Sequence, residues 1–214
     1  MTFLVVLAGW IFSLCLHEFM HAFVAYQGGD YTVKDKGYLT FNPLKYTHPV
    51  YSLLFPILFL LAGGIGLPGG AVYIERWRLR SRGWETAVSL AGPFSNALLA
   101  LVLGLLLRFT PVANSSLGPG LAFLALLQVS AVVLNLLPVP PFDGFGAIEP
   151  HLPYEWRVKL AQTQGAFSII VFLMLWYVPF VNRGFWQLVG LLARLSGIPL
   201  EAAMLGYDQF LFWQ

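Results

Sequence analysis

Charge is what this chain most lacks. Only 10% of its 214 residues are Asp, Glu, Lys or Arg, where a soluble domain carries roughly 25%. Hydrophobic residues make up 58%, and a soluble fold of this size could not cover itself with so little polar surface. A bilayer removes that requirement, so a multi-pass membrane protein is expected. A single cysteine, Cys15, excludes an internal disulfide. The net charge of +2 is small and scattered, which excludes a charge-driven nucleic-acid partner. The first apolar stretch has no basic leader and no A-x-A site, so it reads as a span and not as a signal peptide. Repeats and low-complexity tracts are absent too, and residues 1–214 read as one domain. Its core would lie at about 2–144, with C-terminal helices over 165–200.

Apolar runs near the ~20 residues that a bilayer requires cover about 2–26, 84–107, 120–138 and 165–181. Two further runs are ambiguous. Residues 50–66 contain Pro56 and glycines and suit a re-entrant hairpin, because irregular backbone at membrane depth must be buried in protein. Residues 185–200 carry Arg194 and suit an interfacial helix or a fifth span. If 50–66 does not cross, Lys34, Lys36, Lys45, Arg76, Arg78, Arg80, Arg82, Arg157 and Lys159 share one side. Only Arg108, Arg183 and Arg194 fall on the other. The positive-inside rule makes the richer side cytoplasmic and leaves the N-terminus outside. The expected location is the cell membrane.

Inside the first run stands His17-Glu18-Phe19-Met20-His21. Helical residues four apart differ by about 40° and about 6 Å, so both imidazoles reach one ion. Glu18 points elsewhere, free to act on water as general base. Each ionisable group in a span costs roughly 2.5–3.5 kcal/mol, and three within five residues need a metal or polar partners to offset them. Histidines satisfied by neighbouring helices without metal are the plain alternative.

A catalytic zinc takes three protein ligands and keeps one position open. The metzincin extension would need a histidine at 27, where Gln27 stands. The candidate third ligand is Asp143, in Leu137-Pro138-Val139-Pro140-Pro141-Phe142-Asp143-Gly144 after the third run. Prolines stiffen this segment, and Gly144 allows a sharp turn. A helix-terminating turn with a solvated aspartate fits the same residues. His48 and His151 are weaker ligand candidates, Glu149 and Glu155 read as solvated, and Cys15 and Gln128 as structural. Gly92, Asn96, Ala100 and Gly104 form a small-residue face for close helix approach. Asn96 and Asn135 are candidate supports for substrate, oxyanion or the metal ligands, or form interhelical hydrogen bonds.

These residues resemble the site-2 protease family of intramembrane zinc proteases, in its compact prokaryotic form. The resemblance spans about residues 7–144. Besides the metal motif it rests on Lys36-Gly37-Tyr38-Leu39-Thr40-Phe41-Asn42-Pro43-Leu44, on Ala91-Gly92-Pro93-Phe94-Ser95-Asn96, and on the segment from Asn135 to Gly144. It departs from the family pattern at Tyr46-Thr47-His48-Pro49, at 66–72 and at Phe145, none of them a candidate ligand. It implies an all-α polytopic fold with a three-helix catalytic core and at least one further C-terminal span. A small membrane-associated β-sheet and hairpin would occupy 28–73 and receive the substrate. It implies Zn2+ on His17, His21 and Asp143, with Glu18 as base. The implied activity is hydrolysis of a peptide bond in or near a transmembrane segment, often of a signalling or transcriptional regulator. Partners would be that substrate and the bilayer; no nucleic acid is expected, and self-association stays open. The rivals are a metal-binding membrane protein for transport or scaffolding, and an inactive relative that only binds helices.

Overall fold

The computed structural model describes residues 1–46, 72–161 and 164–211. Its elements are α1 (Thr2–Gly28), α2 (Thr32–Asp35), α3 (Arg82–Phe109), α4 (Gly118–Asn135), α5 (Asp143–Ile148), α6 (Tyr154–Ala161), α7 (Gln164–Tyr177), α8 (Pro179–Leu195) and α9 (Leu200–Phe210). Short 3-10 turns occupy Pro43–Lys45, Arg76–Arg78, Pro111–Asn114 and Glu149–His151. Helices α1, α3 and α4 are long and apolar enough to cross a membrane, as expected for the first three runs.

Local chemistry sets the ends of these helices. Gly29, at φ 118, closes α1 in the left-handed conformation that an L side chain resists. The Ser81 hydroxyl accepts from Trp84 N and caps α3. Helix α4 stops at Asn135, earlier than the apolar run suggests, because Pro138 and its neighbours cannot continue a helical ladder.

Packing sorts α3 into two apolar faces. On α3, Gly92, Asn96, Ala100 and Gly104 are buried, while Phe94, Leu98 and Val102 are exposed one turn apart. A helix apolar on both its buried and its exposed sides belongs in lipid. The main core joins Val6 and Trp10 of α1, Leu103 of α3 and Phe123 and Leu127 of α4 to Phe185, Val189 and Phe210. Close approach depends on small residues. A Cβ at Gly104 would strike the Ser196 carbonyl, and one at Gly206 the Pro119 carbonyl.

Two expectations need correction. No strand occurs among the described residues, so the sheet of 28–73 is absent from the parts that are described. Residues 47–71, which include the hairpin expected at 50–66, lie outside them. Side chains around the Lys36–Leu44 motif bond to nearby backbone and compete with a ladder. Thr40 Oγ1 donates to the Gly37 carbonyl at 2.8 Å, and Asn42 Oδ1 accepts from Leu44 N at 3.0 Å. The other correction concerns the run at 165–181. Helix α7 ends at Tyr177, Val178 is extended, and α8 begins at Pro179. Proline has no N–H for the bond to the preceding turn and bars its predecessor from helical geometry. The chain bends there by 92°. The helix expected at 185–200 thus begins at 179 and ends at 195, and α9 follows where none was expected.

Candidate metal centre

His17, Glu18 and His21 are all buried on α1. Each histidine is oriented from behind by a group that can only accept. His17 Nδ1 lies 2.6 Å from Asn96 Oδ1, and His21 Nδ1 lies 2.7 Å from the Val88 carbonyl. Both Nδ1 atoms therefore donate, and a neutral imidazole that donates from Nδ1 carries its lone pair on Nε2. The two Nε2 atoms face each other at 3.0 Å. Asp143, the first residue of α5, points its carboxylate at both, 3.1 Å from His17 Nε2 and 3.5 Å from His21 Nε2.

With both rings neutral, three acceptors converge and no proton lies between them, an arrangement that a cation would satisfy. A tetrahedral zinc with bonds near 2.1 Å would separate its ligand atoms by about 3.4 Å. The observed spacings fall around that value, and two imidazoles with one carboxylate are a zinc-type donor set. Gly92 makes room for it. A Cβ there would press on Nε2 of both histidines and lie 2.6 Å from His17 Cδ2.

The backbone holds Asp143 in place. Gly144 packs so tightly on the end of α4 that a Cβ would strike the Leu136 carbonyl and lie 2.7 Å from that of Leu137. Phe145 N and Gly146 N both donate to the Phe142 carbonyl, and Thr86 Oγ1 donates to Ala147 O at 2.8 Å, tying α5 to α3.

The acceptor for His17 belongs to a chain of bonds across three helices. Asn96 Nδ2 donates to Gln128 Oε1 at 2.8 Å, Gln128 Nε2 donates to Ser13 Oγ at 3.1 Å, and Ser13 Oγ donates to Trp10 O. Both polar ends of the Asn96 carboxamide are thereby committed. Outer partners of this kind fix the tautomer and orientation of ligating histidines. Gln128→Leu is expected to leave Asn96 Nδ2 unpaired and to weaken metal affinity by about 10–100-fold, measured by chelator competition. Unchanged affinity would remove Gln128 from any part in the site.

Glu18 faces a cavity of about 530 Å³, together with His21, Val88, Ser89, Phe142 and Asp143. Residues 72–75 form a segment outside any helix whose first three residues also line the cavity, and Val72 N donates to Glu18 Oε2 at 3.1 Å. The segment is tied down at its other end. Glu75 N donates to Asp30 Oδ2 at 2.7 Å, and Lys36 Nζ donates to Tyr73 O. Bonds from Arg78 and Lys36 hold the Glu75 carboxyl down to about 2, so this anchor stays ionised. At the rim, Arg76 Nη1 donates to Glu149 Oε2 at 2.6 Å, so Glu149 is an ion-pair partner and not a free loop charge.

The other sequence candidates fall elsewhere. His151 Nε2 lies against Thr86 Oγ1, away from the donors, and His48 lies outside the described residues. Asn135 is buried at the end of α4. Cys15 is buried in an apolar cluster, its carbonyl accepting from Tyr46. Neither Val72 nor the Val88 carbonyl was foreseeable as a site group, since backbone atoms carry no residue signature.

The chain is similar over nearly its full length to proteins from several bacteria. It is 48% identical over 213 residues to the "Putative zinc metalloprotease Rip2" of Mycolicibacterium smegmatis, covering 99% of this chain and 81% of the relative. Against the protein of that name in Mycobacterium tuberculosis the identity is 46%, with the same coverage. Against the "Putative zinc metalloprotease YwhC" of Bacillus subtilis it is 34% over 187 residues, 84% of this chain and 83% of the relative. No family model matches the chain, and no solved structure matches it. Identity of this degree over almost every residue makes the chain a member of the site-2 protease family.

Proposed function

We propose that this protein is an intramembrane zinc metalloprotease that hydrolyses a peptide bond in or near a transmembrane segment of a membrane-protein substrate. One observation carries the reading. Two lone-pair nitrogens from α1, a helix long and apolar enough to span, and a carboxylate from α5 converge within 3.5 Å, beside a cavity that a buried glutamate also faces.

His17 Nε2, His21 Nε2 and a carboxylate oxygen of Asp143 would hold the ion. Zinc, when bound, polarises a carbonyl and makes water acidic enough to be deprotonated near neutral pH. Glu18 supplies the base. Its carboxylate takes a proton from the attacking water and returns it to the leaving amine. Asn96 acts through His17, because its oxygen is turned to His17 Nδ1 and its nitrogen to Gln128, inside the packed helices. Asn135 remains the candidate for a substrate contact.

A helical substrate hides its carbonyls in its own ladder, so it must unwind to be cut. The segment at 72–74 lines the cavity outside any helix, and an unwound substrate chain would lie along it. The charge asymmetry of the loops supports a cell-membrane location with the site toward the cytoplasm, and the family resemblance supports substrates such as membrane-held precursors of signalling or transcriptional regulators.

The test uses the full chain in detergent with synthetic single-span peptides bearing helix-breaking residues. Cleavage within the span, mapped by mass spectrometry, is expected to stop on chelation and to return with zinc. Zinc-loaded protein that cuts none of these peptides, or a chelated protein that still cuts, would overturn the reading.

A further inference from the structure

The polar residues of α8 are sorted onto one side. At 100° per residue, Arg183, Gln187, Gly190 and Arg194 fall within about 60° of one another. Phe185, Val189 and Ala193, buried in the core, centre roughly 130° away. The remaining side is apolar yet exposed, with Phe180, Leu188, Leu191 and Leu195 uncovered. One side thus meets protein, a second is greasy and bare, and a third is cationic. This is the pattern of a helix seated at a bilayer boundary, with apolar side chains toward the acyl region and guanidinium groups at the level of the phosphates.

The cationic side is concave. Asn182, Arg183, Trp186, Gln187, Arg194 and Leu200 line a groove of about 430 Å³. Gly190 gives it depth, since a Cβ there would meet only Leu200 Cδ1, at 4.0 Å. Among the described residues neither arginine is paired with a carboxylate. The Arg183 Nε donates to its own helix at the Pro179 carbonyl, which leaves the outer nitrogens of the guanidinium for another acceptor. Two cations facing one groove, without an anion between them, call for an anionic ligand. Trp186 and Leu200 in the same wall call for one with apolar substance attached.

The groove also has a definite place. The turn after α8 packs on Gly104 and Arg108, with Gly197 3.4 Å from Arg108 Cδ as measured from an added Cβ. Gly104 is twelve residues, about 18 Å, along α3 from Gly92 at the metal donors. Helix α8 therefore ends at the opposite end of α3 from the metal site.

We propose that this groove binds the phosphate of an anionic phospholipid headgroup, with Arg183 and Arg194 as counter-charges and the Gln187 amide between them. Arginine suits this role because its fork of N–H groups matches phosphate oxygens. Free phosphate would satisfy the guanidinium groups equally but leave Trp186, Leu200 and the bare apolar side of α8 unused. The site is independent of the proteolytic reading, and its failure would leave that reading untouched.

The experiment takes the purified full chain in detergent, stripped of lipid, and titrates it with phosphatidylglycerol, phosphatidylcholine or inorganic phosphate, scoring bound lipid by native mass spectrometry. Wild type is expected to bind phosphatidylglycerol about 30-fold more tightly than an R183Q/R194Q double variant, the effect of two basic contacts near a membrane surface. An R183K/R194K variant, which keeps the charge, should retain part of that difference. Unchanged metal content in each variant establishes that the chain is folded. Equal binding by wild type and R183Q/R194Q overturns the proposal. So does displacement of the lipid by millimolar inorganic phosphate, or binding of phosphatidylcholine as tight as that of phosphatidylglycerol.

Discussion

Glu18→Gln is expected to lower peptide-bond hydrolysis by about 10²–10⁴-fold, the usual contribution of a positioned general base, without releasing the metal. The substitution is nearly isosteric. An amide oxygen at the same place can still accept from Val72 N, which lies 3.1 Å from the carboxylate. Glu18 is not among the three converging donors, so the substitution leaves all three in place. What disappears is the ability to take a proton, since an amide is not basic near neutral pH. The measurement is paired: cleavage of a spanning peptide, and zinc per chain by elemental analysis. Turnover near that of wild type, with zinc still bound, would remove Glu18 from the proton-transfer step.

The second large effect belongs to a residue with no side chain. Gly92→Ala would place a methyl group against Nε2 of both histidines. The ladder of α3 and the bond from His21 to the Val88 carbonyl hold the two helices at this separation, so neither ring can retreat without losing its orienting partner. Metal affinity is expected to fall by at least the 10–100-fold that loss of an outer partner costs, and overpacking should destabilise the fold by about 1–3 kcal/mol. Gly104→Ala is the control, because its methyl would strike the Ser196 carbonyl at the far end of the same helix. That variant should lose stability but keep its zinc. Full zinc occupancy in Gly92→Ala would show that the cradle is not closed at this position.

Much of the site was legible because its parts are local. His17, Glu18 and His21 occupy little more than one turn, and helical geometry alone brings the imidazoles together. Asp143 was legible as a candidate because proline and glycine mark a stiff, sharply turned segment, yet only the packed structure brings it within 3.1 Å of His17. The pairing of Asn96 with Gln128 was not legible. It depends on how α3 and α4 are rotated about their axes, and both helices are apolar over most of their circumference. The orienting Val88 carbonyl and the Val72 amide belong to the backbone and leave no trace in residue type.

Among the elements, the three long helices followed from hydropathy alone. The break at Pro179 was written in the residue itself, but the apolar stretch around it reads as continuous when hydrophobicity is averaged. Helix α9 escaped because Glu201 and Asp208 dilute its apolar character. It is held instead by small and aromatic contacts at Ala203, Gly206 and Phe210, and by a bond from Thr2 Oγ1 to Gln209 Oε1. The expected sheet was carried by resemblance and not by any alternation of polar and apolar residues, and the described part of that region is held by turns.

The division of the metal donors between α1 and α5 has a consequence for the order of synthesis. His17 and His21 leave the ribosome early, followed by Asn96 and then Gln128, and Asp143 comes last of these. A nascent chain that ends before Asp143 offers two nitrogens and no third ligand, however well its first helices have inserted. The proposed ligand set is therefore complete only after α1, α3 and α4 have been made, and a chain interrupted before that point leaves no finished donor set behind in the membrane.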